Sequence, residues 1–139
     1  MTTLEEFEKK LAPSIDLEKT DLETMLSGID GLVQVSPQDG YVKITGDRKL
    51  STRQKIHLAV SARYLVNQLQ SKLGRDNPVK PTMTMEELAG ILRIDSEDVR
   101  KRVSDLKLDH SLNVSNKGEI SVTPHSIMEL IKELKQKKK

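Results

Sequence analysis

Four times along this chain a Ser or Thr is followed three residues later by Glu or Gln and then by apolar residues at helical spacing, a recurrence that constrains the fold more than any other feature. In such a capping box the hydroxyl accepts from a first-turn N–H while the Glu or Gln side chain reaches back to the cap. The boxes are Thr3-Leu4-Glu5-Glu6, Thr20-Asp21-Leu22-Glu23, Ser51-Thr52-Arg53-Gln54 and Thr84-Met85-Glu86-Glu87. The first opens a short helix with Leu4, Phe7 and Leu11 that stops at Pro13. The second leads Leu22, Met25, Leu26 and Ile29, and Gly28 and Gly31 end it. The third opens the longest stripe, Ile56, Ala59, Val60, Leu65, Val66, Leu69 and Leu73, up to Gly74; this helix supplies much of the core. The fourth precedes Leu88, Ala89, Ile91 and Leu92.

Two more helices lack the box. One begins near Asp95 or Ser96 and carries Val99, Val103 and Leu106. The other starts at Thr123-Pro124, a cap followed by proline at the first helical position, and carries Ile127, Leu130, Ile131 and Leu134. Two strand pairs complete the set. Leu32, Val33 and Val35 return as Tyr41, Val42 and Ile44 around Ser36-Pro37-Gln38-Asp39-Gly40, and Leu112 to Ser115 return as Ile120 to Thr123 around Asn116-Lys117-Gly118. The fold class is therefore α+β and mostly helical. Residues 1–50 form an acidic helix-and-hairpin region and residues 51–139 the remainder, with Arg75 to Thr82 an exposed connection. The order helix, hairpin, helix occurs twice, which leaves open a duplicated arrangement or two hairpins of independent origin.

Only Arg93, Ile94 and Asp95 separate the helix of Leu88 from that of Val99. A helix-turn-helix needs a small residue at the helix crossing and apolar residues that seal the corner. Ala89 takes the crossing, and Leu88, Leu92, Ile94, Val99 and Val103 take the seal. This segment resembles the winged helix-turn-helix family: Met85 to Leu108 correspond to its second and third helices, Leu112 to Thr123 to its wing, and Ser51 to Gly74 to its first helix. One departure is Arg93, at a turn position where the family often has glycine, so the turn is expected to differ in geometry. The resemblance implies a third helix in the DNA major groove with the wing on the backbone or minor groove. It makes Arg100, Lys101, Ser104, Lys107 and Lys117 the candidate DNA-binding residues.

Charge supports a polyanionic partner. Residues 1–50 hold six Lys/Arg against ten Asp/Glu, and residues 51–139 seventeen against eleven. Against it stand Asp95, Glu97 and Asp98, which suit the positive end of a helix dipole but face phosphates in a groove-docked pose. Glu97 with Lys101 and Asp98 with Arg102 also have the spacing of simple i,i+4 surface pairs. Double-stranded DNA is the leading partner; the alternative is a protein-interaction module docking through Leu108 and the acidic N-terminal segment. A homodimer is a further expectation, since Phe7, Leu11 and the long Ser51–Gly74 helix offer more apolar surface than one small core covers.

Other classes find little support. The chain has no cysteine, which removes disulfides and thiolate chemistry. His57, His110 and His125 stand apart, the seven glycines form no phosphate-cradling motif, and Ser61 and Ser104 lie within predicted helices. The expectation is a chain without enzymatic activity, cofactor or metal. No apolar run reaches the ~20 residues of a membrane span, and MTTLEEFEKK lacks a signal peptide's apolar stretch, so the expected compartment is the cytoplasm.

Overall fold

The computed structural model of the protein describes residues 19–36, 38–45 and 50–136. The expected first helix at Thr3 to Pro13, with the apolar residues Phe7 and Leu11, Pro37 of the first turn and the lysines at 137–139 lie outside the described residues. In chain order the elements are α1 (Lys19–Ile29), β1 (Val33–Val35), β2 (Val42–Ile44), α2 (Thr52–Lys72), α3 (Met85–Leu92), α4 (Ser96–Leu108), β3 (Asn113–Val114), β4 (Ile120–Ser121) and α5 (Pro124–Gln136). The class is α+β and mostly helical, as expected, and no described helix is long and apolar enough to cross a membrane.

The axle of the molecule is α2. Ser51 and Gln54 form the expected capping box, and the helix then runs through the centre with α1, both strands of the first hairpin, α3, α4 and α5 packed around it. Its burial is wider than one stripe: Leu58, Ala62 and Tyr64 are buried together with Ile56, Ala59, Val60 and Leu65, while Leu73 is exposed. A helix enclosed on every side has no outer face for its polar residues, and those residues need internal partners. Arg63, only 5% exposed, donates from Nε and Nη2 to the Gly40 carbonyl at 2.9 and 2.6 Å, and from Nη1 to the Thr82 carbonyl and Glu87. Leu22, Met25, Ile29 and Val42 of the N-terminal region join one core cluster with Leu88, Val99, Val103, Ile127 and Leu130.

At α1 the structure departs from the expected ends. Thr20 is already helical rather than a cap, and Gly28 lies inside the helix. A Cβ at Gly28 would sit 2.7 Å from Ile131 Cδ1, so the glycine is there to let α1 approach α5; Gly31, at φ +83°, is the residue that turns the chain.

Both hairpins form where expected. In the first, Val33 pairs with Ile44 and Val35 with Val42, and Asp39 Oδ1 accepts from the Tyr41 N–H, which holds its carboxyl below the usual carboxylate range. In the second, Asn113 pairs with Ser121 and Val114 with Ile120, a shorter ladder than the sequence alternation spans. Ser115 Oγ accepts from the N–H groups of Lys117 and Glu119 at its turn. Met83, between α2 and α3, adds a single antiparallel bridge to Ile120, with N···O distances of 3.0 and 2.7 Å. Thr123 Oγ1 then caps α5 by accepting from Ser126 N.

Candidate functional site

The α3–α4 corner is built by local rules. Thr84 and Glu87 close both halves of their capping box. The helix ends at Arg93, which adopts the left-handed conformation (φ 57°, ψ 46°) and returns its N–H to the Ala89 carbonyl. The turn thus has the geometry a glycine there would give, with an arginine carrying the strain, contrary to the expected change of geometry. Leu88, Val99, Val103 and Leu106 are buried beneath it, with Ala89, Leu92 and Ile94 packed against the core.

Burying Val99, Val103 and Leu106 turns the remaining face of α4 outward, and Arg100, Lys101, Ser104 and Lys107 are all exposed on it. Lys117 is exposed at the turn of the second hairpin. Arg100, Lys101 and Ser104 border one shallow depression together with Asp98, Arg102 and Asp105; Lys107 and Lys117 lie outside it. The i,i+4 pairs read from the sequence do not close: among the described residues, neither Glu97 with Lys101 nor Asp98 with Arg102 makes an ion pair. Arg100, Lys107 and Lys117 are likewise without carboxylate partners, whereas Arg53 is held by Asp109 and Arg63 by Glu87, each at 2.6 Å. The acidic residues of α4 gather in its first turn as Glu97 and Asp98, with Asp95 at the cap position. Beyond that turn come three consecutive cations, Arg100, Lys101 and Arg102. At the far end Leu108 is 80% exposed.

No family model, curated protein or solved structure matches this chain.

Two further constellations escaped the sequence reading. The first resembles a nucleophile and its base: His57 Nε2 lies 2.8 Å from Ser126 Oγ, both side chains buried. The direction of the hydrogen bonds decides its role. Ser126 Oγ is 2.5 Å from the Ser111 carbonyl, which can only accept, so the hydroxyl proton points there and His57 Nε2–H donates to Ser126. A base that must abstract the hydroxyl proton is oriented the other way. Burial pushes the His57 pKa down to about 4, so the ring is neutral near pH 7; Glu133 and Asp109 oppose that shift, and Arg53 adds to it. The trio is a latch joining α2, α5 and the root of the second hairpin. Residues 69 apart in sequence form it, so spacing gave no signal.

The second is a groove between β2, the start of α2 and the end of α3, whose lining includes Tyr41, Lys43, Lys55 and Arg93. Its one local signal is strand alternation, which puts Tyr41 and Lys43 on the same face.

Proposed function

We propose that this chain is a winged-helix protein that binds double-stranded DNA without catalysis, with α4 as the recognition helix and the β3–β4 hairpin as the wing. The observation that carries the reading is the set of exposed cations Arg100, Lys101, Lys107 and Lys117 on α4 and the hairpin turn. Among the described residues none has a carboxylate partner that would neutralise it. Phosphates contacted by such groups release counterions, which gives affinity without a shaped pocket. Ser104 lies on the same face and suits either a base edge or a phosphate. The Met83–Ile120 bridge supports the winged-helix assignment, since it places a strand residue between the first and second helices of the unit beside the returning strand of the wing. We read one winged helix, α2 to β4, with α1 and the first hairpin as an addition built onto it. The recurrence of helix, hairpin and helix in α1–α2 lacks, among the described residues, a strand residue equivalent to Met83.

A salt titration against a random duplex is the direct test. Affinity should fall as salt rises, with a log–log slope of about 0.9 per phosphate contact. The acidic first turn supplies an internal control: Glu97→Gln with Asp98→Asn should tighten non-specific binding. Absence of duplex binding even at low salt would favour a second reading, a protein-docking winged helix. That reading draws on Leu108, which stands 80% exposed at the end of α4.

A further inference from the structure

The groove between the first hairpin and the helix-turn-helix corner has about 380 Å³ of space. Lys43, Lys55 and Arg93 supply its charge, Ile91 and Leu92 part of its apolar wall, and Tyr41, 56% exposed, its aromatic edge. Among the described residues none that lines it is acidic, and none of the three cations is in an ion pair. Cations collected around one concavity without a counter-charge repel one another, and an incoming anion relieves that repulsion.

The walls are held in place before any ligand arrives. Val42, next to Tyr41, is fully buried, and Gly40 on the other side is bound by Arg63. Lys55 sits in the first turn of α2, closed by the Ser51–Gln54 box, and Arg93 is fixed by its bond to Ala89. Arg93 also occupies a left-handed position that glycine would fill without strain. Strain retained at an exposed residue invites a functional reading of the side chain it keeps.

We propose that this groove is a second phosphate-contacting site, which takes the sugar-phosphate backbone of nucleic acid with Lys43, Lys55 and Arg93 on phosphate oxygens and Tyr41 against a sugar. The choice of nucleic acid as the source of phosphate rests on the reading of α4 and the second hairpin given above; the site itself shares no residue with that surface.

The experiment uses the variant Lys43→Ala/Lys55→Ala/Arg93→Gly and a fluorescein-labelled duplex of random sequence, followed by anisotropy over a range of salt. Glycine at 93 retains the turn, so the variant should melt at or above the temperature of the intact chain. Its log–log salt slope should be smaller by about 2.7, so that from about 50 to about 200 mM salt the intact chain loses ~40-fold more affinity than the variant does. A parallel variant, Arg100→Ala/Lys107→Ala/Lys117→Ala, separates the two surfaces. If only this parallel variant lowers the slope, the groove proposal is overturned and the α4 reading stands. If only the groove variant does so, the reverse holds. No duplex binding by the intact chain overturns both. Fluorotyrosine incorporation gives a readout without mutation, because the chain has two tyrosines and Tyr64 is buried. The Tyr41 resonance should shift on duplex addition while that of Tyr64 stays; a static Tyr41 resonance in the saturated complex would contradict the proposal, as would recognition confined to acidic polypeptide.

Discussion

The two hairpins are anchored at opposite ends and by different chemistry. The first is held at its tip, where the buried Arg63 guanidinium binds the Gly40 carbonyl, and its β2 strand contributes the fully buried Val42. The second is held at its root, where the His57–Ser126 latch reaches the Ser111 carbonyl, and its Lys117 tip stands in solvent. A guanidinium keeps its charge across the whole accessible pH range, whereas a buried imidazole must take on a charge that burial disfavours once the pH falls far enough. One small core thus holds one hairpin by its tip and the other by its root. A hairpin tied at the tip presents a fixed groove wall, and one tied at the root leaves its tip in solvent.

The largest expected effect comes from removing the tip anchor. Arg63→Met would leave the Gly40 carbonyl without its two donors and Glu87 without its partner, and should lower stability by about 3–5 kcal/mol in denaturant melts. A loss below ~1 kcal/mol would mean that the first hairpin is not held there.

The root anchor should instead yield to acid. The folded-state pKa of His57 is about 4 against 6.5 for the free group, so between those values the unfolded chain binds the extra proton. Stability from this group is complete above pH 6.5 and is lost as pH falls toward 4, by about 3 kcal/mol in all. Hydrogen exchange near the lower end of that window should show the amides of the second hairpin opening before those of the first. Simultaneous opening would remove the distinction between the anchors.

Matched glycine substitutions sharpen the same contrast. Gly40 (φ +77°) and Gly118 (φ +80°) share a left-handed backbone, but a Cβ at Gly40 would lie 3.1 Å from Val79 Cβ and 3.3 Å from Arg63 Nε, while at Gly118 it meets nothing. Gly118→Ala should lose about 1 kcal/mol from backbone strain and Gly40→Ala about 2 kcal/mol, with the crowding added. Equal losses would argue against a clamped tip. Smallest of all, Arg93→Gly should raise stability by roughly 0.5–1 kcal/mol through relief of its left-handed strain, offset by glycine's greater freedom in the unfolded chain.

What the sequence made legible was local. The boxes at Ser51 and Thr84, the proline start of α5, both turns and the buried stripe of α4 depend on residues within a few positions of one another, and each forms as read. Thr20, a cap by its pattern, is helical, since helix ends shift by a residue or two from the pattern that marks them. The all-round burial of α2 was hidden because periodicity registers one apolar face, and it does not register polar residues that find partners inside. Arg63, His57 and Met83 all act across long separations in sequence, where spacing carries no information. For the candidate site, the exposure of Arg100, Lys101, Ser104, Lys107 and Lys117 was legible from the helical spacing of Val99, Val103 and Leu106 and from the hairpin turn. The unclosed Glu97–Lys101 and Asp98–Arg102 pairs depend on side-chain conformation and were not.

The proposed contact of α4 and the second hairpin with duplex DNA is tested most directly by the salt dependence of binding by Arg100→Ala/Lys107→Ala/Lys117→Ala beside the intact chain. The substitutions leave Val99, Val103 and Leu106 in place, so both proteins should melt alike. The slope of log affinity against log salt should shrink by about 2.7, the loss of three phosphate contacts. A variant that folds normally and binds with unchanged affinity and unchanged slope would contradict it.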